Sequence, residues 1–136
     1  MSDEELVKIA IMARKNAYAP VSKYKVGAAL LAKSGTVYIG SNIETPSLII
    51  PNCAERLAIQ TAYAHGEREF LKLAIVGADE KSETIDSTLT PCGSCLQFIN
   101  EMCKDVDILC YINGKLEKKK IEEFLTYPYE YKERYE

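Results

Sequence analysis

Apolar residues near the start of the chain recur at helical spacing, with Leu6, Ile9, Ala10, Ala13 and Ala17 on one stripe. Ser2 and Glu5 stand at capping-box spacing ahead of it, so the pattern predicts a first helix ending near Ala17. Tyr18 to Tyr24 contains Pro20 and Ser22 and reads as a loop. Val26 to Leu31 is a continuous apolar run suited to a buried strand; Ser34-Gly35 turns the chain and Thr36 to Gly40 returns as the second strand of a hairpin. Ser41 to Pro51 is a loop with two prolines, polar side chains and a short apolar run.

In the second half, Asn52 is a good helix cap, and Cys53 is then the first residue of a helix that runs to about His65 and stops at Gly66. Leu71 to Val76 suits an interior strand, and Asp79 to Leu89 is a polar connection. The next helix has Thr90 as cap and Pro91 in the first position, and it buries Cys95, Ile99, Met102 and Cys103. Val106 to Ile112 is a strand closed by Asn113-Gly114, Leu116 to Lys120 is an edge strand, and Ile121 to Leu125 begins a short final helix. Helices alternating with strands predict an α/β fold in which a mixed sheet is covered by helices. No connection is long enough to divide the chain, so residues 1–136 are expected to form a single domain.

Composition narrows the setting. With 47% hydrophobic and 27% charged residues the chain has the make-up of an ordinary globular core. No stretch approaches the ~18 consecutive apolar residues of a membrane span, and Met1-Ser2-Asp3-Glu4-Glu5 is acidic where a secretory signal is basic. A cytoplasmic location without membrane contact is the expectation. A net charge of −3 argues against a nucleic-acid partner. Five cysteines, an odd number, point to reduced thiols rather than a disulfide framework.

Three of those thiols sit in two short motifs, Asn52-Cys53-Ala54-Glu55-Arg56 and Thr90-Pro91-Cys92-Gly93-Ser94-Cys95. Cys92 and Cys95, three residues apart at a helix start, share one face, and the positive end of the helix dipole favours the thiolate that ligates metal. Cys53 opens another helix, so two helix starts would face one zinc ion. Cys103 and Cys110 lie on an apolar helical face and in a strand, and His65 is three turns from Cys53, too far to join the same sphere. The fourth position is therefore expected to hold water, with Glu55 placed to take its proton. The plainer readings are that the cysteines are small buried apolar residues, that Glu55 completes a capping box with Asn52, and that Arg56 is a solvated surface charge.

Cys-Ala-Glu-Arg at 53–56 followed by Pro-Cys-Gly-Ser-Cys at 91–95 resembles the zinc-dependent cytidine deaminases. The resemblance extends through Ala19-Pro20, Ser22-Lys23-Tyr24, Val26-Gly27-Ala28-Ala29 and Asn42-Ile43-Glu44 to the C-terminal aromatics. It implies a three-layer α/β/α sandwich with a mixed five-stranded sheet, a Zn2+ cofactor, and a homotetramer. The implied activity is hydrolytic deamination of cytidine and 2′-deoxycytidine to uridine and ammonia, in pyrimidine salvage. By the same resemblance Asn42 and Glu44 hold the ribose hydroxyls, Tyr24 stands where a phenylalanine packs on the pyrimidine, and Ala54 is a substrate contact. Arg56 offsets the charge of three thiolates, and Tyr129 falls near an aromatic that completes a neighbouring subunit's site.

The sequence departs from the family at Thr45-Pro46-Ser47-Leu48, where Glu-Asn-Ala-Ser/Ala-Tyr is common, and at Leu96, where arginine is common. Three alternatives follow: a deaminase of a related aminopyrimidine such as blasticidin S, a polynucleotide-editing deaminase, and a structural zinc module used for interaction. Glu44 favours a ribose substrate over the first, the acidic balance disfavours the second, and the third needs a fourth protein ligand that the sequence does not offer.

Overall fold

The computed structural model describes residues 1–130; positions 131–136, the end of the C-terminal tail, lie outside the described residues. Helix α1 spans Asp3–Arg14 and starts from Ser2, whose side chain accepts a hydrogen bond from the Glu5 N–H at 3.1 Å. Leu6, Ala10 and Ala13 are buried as the stripe requires. The helix ends at Arg14 rather than near Ala17. Lys15 and Asn16 close its last turn onto the carbonyls of Met12 and Ala13, and the Tyr18 N–H goes instead to the Asn42 carbonyl at 2.9 Å.

The chain continues through β1 (Tyr24–Ala32), β2 (Val37–Ser41), α2 (Ala54–Ala64), β3 (Phe70–Asp79), α3 (Gly93–Met102), β4 (Asp107–Ile112) and β5 (Lys115–Lys119). The expected final helix is only a single 3-10 turn at Ile121–Glu123. The five strands lie in the order β2-β1-β3-β4-β5. Among the described strands only β3 and β4 are parallel, joined by the crossover that contains α3, and the other neighbours are antiparallel. Asn113-Gly114, both at positive φ, makes the tight turn between β4 and β5.

Alternation along the strands sends side chains to two cores. Ala28, Leu30, Leu73 and Ile108 pack with Ala58, Ile59 and Ile99 from α2 and α3. Ala29, Leu31, Ala74, Val76 and Leu109 pack with Leu6, Val7 and Ala10 from α1. The result is the expected helix, sheet, helix layering. Among the described residues no helix is long and apolar enough to cross a membrane.

Two glycines set how closely the helices approach this sheet. A Cβ on Gly27 of β1 would overlap the Ala10 carbonyl and the Arg14 backbone of α1. A Cβ on Gly40 of β2 would overlap the Ala54 carbonyl and the Ala58 nitrogen of α2. The second contact fixes the start of α2, where Cys53 and Glu55 lie. Gly40→Ala should therefore destabilise the fold by roughly 1–3 kcal/mol, the usual cost of overpacking. Gly93→Ala, whose site is open, should stay within about 0.5 kcal/mol. Urea midpoints of the two variants check the difference.

Candidate active site

The two cysteine motifs reach one place because each opens a helix packed on the same face of the sheet. Cys53 is the N-cap of α2 and Cys92 the N-cap of α3, both with extended backbone (φ −82, ψ 153 and φ −72, ψ 166). This corrects the expected helix starts: Cys53 is not the first residue of α2, Pro91 is not the first residue of α3, and neither Asn52 nor Thr90 is the cap. The Asn52 amide instead donates to Gln60 Oε1 at 2.9 Å. Sequence preference favours oxygen-bearing caps, but a sulfur at the N-cap lies beside the same unpaired N–H groups. Side chains at the N-cap and the third helical position stand next to each other, as they do in a capping box. In α3 these are Cys92 and Cys95, and in α2 they are Cys53 and Arg56.

The sulfurs of Cys53, Cys92 and Cys95 all lie within 4.8 Å of one another. The neighbouring Cys95 thiol and then Arg56 hold the Cys53 thiol well below its ordinary value, against its partial burial. Cys95, beside the Cys53 sulfur and buried, is pushed upward. Sulfurs this close cannot all be charged without a cation, and a divalent ion between them removes the conflict by favouring the thiolate of each ligand. Three soft donors at this spacing fit zinc. Arg56 Nη2 lies 3.4 Å from Cys53 Sγ, and its Nε is buried with no partner among the described residues.

Glu55 is the second residue of α2 and only 3% exposed. Burial pushes its carboxyl up to about 7, and the neighbouring Cys53 thiolate adds to the rise. It opens onto a cavity of about 300 Å³ together with Ala54 and the three cysteines. Val26, Ile75 and Leu89 supply apolar wall, and Tyr24, Asn42 and Glu44 line the same cavity.

Asn42 and Glu44 are held by a short ladder inside the expected loop. Ile43 pairs on one side with Tyr18 and on the other with Asn52, which sets this segment beside Cys53. The Asn42 amide is used at both ends: Oδ1 accepts from the Val26 N–H at 2.8 Å, and Nδ2 donates to the Tyr24 carbonyl at 2.9 Å. Glu44 Oε1 accepts from the N–H groups of Val21 and Ser22, both at 3.0 Å. Its partial burial opposes the charge, but the bonds from Ser22 and Val21, with the Lys23 charge, hold the carboxyl below the usual carboxylate range.

The structure leaves some candidates elsewhere. Tyr129 is 67% exposed, does not line the cavity, and its carbonyl accepts from Gln97 Nε2 at 2.8 Å. Cys103 and Cys110 are buried, and burial pushes their thiols up to about 12 and about 11, as suits packing residues. His65 sits at the far end of α2, its Nδ1 2.9 Å from the Thr61 carbonyl. Leu96, in the place where arginine is common, is buried in the α2–α3 core. A wider cleft of about 500 Å³ lies among Arg68, Glu69, Glu101 and Lys104, and it contains none of the candidate site residues. Pro51, Ile75 and Leu89 are cavity residues that the motifs did not mark. Thr90, read from the sequence only as a helix cap within the second cysteine motif, also lines the cavity.

Residues 1–111 match the family described as the cytidine and deoxycytidylate deaminase zinc-binding region. A cytidine deaminase of Halalkalibacterium halodurans is 46% identical over 103 residues, covering 76% of this chain and 74% of that protein. A blasticidin-S deaminase of Bacillus cereus is 33% identical over 130 residues, covering 93% and 91%. The crystal structure of cytidine deaminase from Burkholderia pseudomallei superposes with a TM-score of 0.82 at 33% identity, over 95% of this chain and 100% of that one. With a buried glutamate beside three convergent cysteines at two helix starts, the chain belongs to the zinc-binding cytidine and deoxycytidylate deaminase family.

Proposed function

We propose that this chain catalyses the zinc-dependent hydrolysis of cytidine and 2′-deoxycytidine to uridine or deoxyuridine and ammonia. The observation that carries the reading is Glu55, a buried carboxyl in a cavity that also holds the three sulfurs and the pair Asn42 and Glu44. Cys53, Cys92 and Cys95 would hold the metal. The chemistry that zinc supplies in such a site, when bound, is the acidification of a water molecule. Glu55 takes the proton of the water that adds to C4 of the base and gives it to ring N3. The proton left on the C4 hydroxyl, carried by Glu55 to the amino nitrogen, lets the C4–N bond break, so that a C4 carbonyl forms and ammonia leaves. Arg56 offsets part of the thiolate charge, which the buried carboxyl needs if it is to alternate between its two forms.

The sugar is read at the opposite wall. Asn42 is locked in orientation by its two backbone bonds, and Glu44 keeps Oε2 for a ribose hydroxyl while Oε1 anchors the Val21-Ser22 turn. Tyr24 offers a ring face to the pyrimidine, with Ala54 beside Glu55 as a further contact. We read the chain as one domain over residues 1–136, acting on free nucleosides in cytoplasmic pyrimidine salvage.

Assembly is part of the same proposal. Leu48, Ile49 and Ile50 are 49%, 81% and 76% exposed in a loop next to the cavity, a continuous apolar patch without a place in either core. A homotetramer would cover it and could bring Tyr129 to a neighbouring site. Light scattering should give the mass of a tetramer; a monomer would remove this part of the proposal and the role of Tyr129 with it.

Substrate choice tests the rest. A site built to bond sugar hydroxyls rejects an analogue that lacks them, because its polar groups are left unpaired. Cytosine should therefore be turned over poorly. A short cytosine-containing strand should also be poor, since its 3′-phosphate would meet the Glu44 carboxylate. At equal concentrations cytidine and deoxycytidine should lead cytosine, the strand and blasticidin S. Glu44→Ala should lower kcat/KM for cytidine by about 10-fold or more with zinc content unchanged. Fastest turnover of the strand or of blasticidin S would show the sugar assignment to be wrong.

A further inference from the structure

Tyr24 does more in this chain than face the cavity. Its hydroxyl donates a 2.8 Å hydrogen bond to Asp86 Oδ2. Asp86 belongs to the connection between β3 and α3, outside every motif described above. That connection is tied to β3 by the Asp86 N–H on the Gly77 carbonyl at 2.8 Å, and to β4 by the Leu89 N–H on the Tyr111 carbonyl at 3.0 Å. It ends at Cys92. Gly77 takes part by lacking a side chain, because a Cβ there would come within 2.8 Å of Leu89 Cδ2, 2.9 Å of Tyr24 Cε2 and 3.0 Å of the Tyr24 hydroxyl. The Tyr24 ring and Leu89 thus occupy the space over Gly77, and both line the cavity.

A hydroxyl bonded to a carboxylate is a charge-assisted pair, stronger than a neutral one and directional. Without it the ring keeps its contacts with Gly77 and Leu89 but is free to tilt. We propose that Asp86 is a positioning residue of the site: by accepting the Tyr24 hydroxyl it fixes the aromatic wall and ties that wall to the segment that carries Leu89, Thr90 and Cys92. The inference rests on the nucleoside deaminase reading. Asp86 does not line the cavity, so its effect reaches the substrate through the Tyr24 ring and falls on binding.

The test compares cytidine deamination by zinc-loaded, full-length wild type, Asp86→Ala, Tyr24→Phe, the double variant and Asp86→Asn. Each of the first two changes should raise KM by about 3–10-fold with kcat within about 2-fold, the effect of losing one bond that aids ground state and transition state alike. The double variant should be no worse than either single variant, since both remove the same bond. Asp86→Asn, whose amide oxygen still accepts, should return KM to within about 2-fold of wild type. Zinc content should be the same in all five proteins. An unchanged KM in Asp86→Ala, or KM increases that multiply in the double variant, overturns the inference. So does a fall in kcat that tracks lowered thermal stability, which describes a structural prop. A wild type active on cytidine beside an unaffected Asp86→Ala removes this inference alone, whereas a wild type inactive on cytidine removes the nucleoside reading and this inference together.

Discussion

Three sulfurs within 4.8 Å of one another make a crowded arrangement that a protein without a cation resolves by keeping protons on some of them. The opposite directions in which Cys53 and Cys95 are pushed express that conflict. Two helix N-termini, each with unpaired N–H groups, converge on the cluster and lessen the cost of negative charge there. Arg56 reaches the Cys53 sulfur from the third position of α2 and lessens it further. Glu55, buried one residue before it, shares the same field and is raised rather than lowered. A carboxyl poised this way near a metal site is matched to proton transfer at neutral pH. The site therefore depends on how closely two helix starts are brought together.

The sheet decides that closeness. Gly40 lets the first turn of α2 rest on β2 with backbone against backbone. α3 follows the parallel neighbour of that core, across the crossover from β3 to β4, so its N-terminus falls at the same end of the sheet as that of α2. The opposite wall hangs on Ile43, whose pairing with both Tyr18 and Asn52 links the loop before β1 to the residue that precedes Cys53. The cavity wall that carries Asn42 and Glu44 and the segment that leads to Cys53 are thus parts of one hydrogen-bonded frame, to which Tyr24 and Asp86 add a further tie.

Much of this was legible in the sequence because the signals were periodic. The stripe from Leu6 to Ala13, the apolar runs of β1 and β3, and the Asn113-Gly114 turn each report a local preference that the fold obeys. The meeting of the three cysteines was legible because thiols at two helix starts have few other uses. The errors came where a local rule met a tertiary demand. Asn52 and Thr90 are better caps than cysteine, yet Cys53 and Cys92 hold the cap positions. Ala17 continues the apolar stripe, yet the Tyr18 N–H is taken by Asn42 and the helix stops. Asp86 was invisible, since a lone acid in a polar connection carries no pattern, and its meaning comes only from the ring it meets across 62 positions of sequence.

The central claim is that Glu55 moves a proton at a site whose metal is held by the cysteines alone. The most direct measurement is zinc content and cytidine turnover on the same preparation of Glu55→Gln, an exchange that keeps shape and removes the titrating group. The account predicts about one zinc per chain, as in wild type, with turnover lower by roughly 10²–10⁴-fold. Full zinc with turnover near wild type would contradict the proton-carrying role, and loss of zinc would contradict the assignment of the metal to Cys53, Cys92 and Cys95 alone.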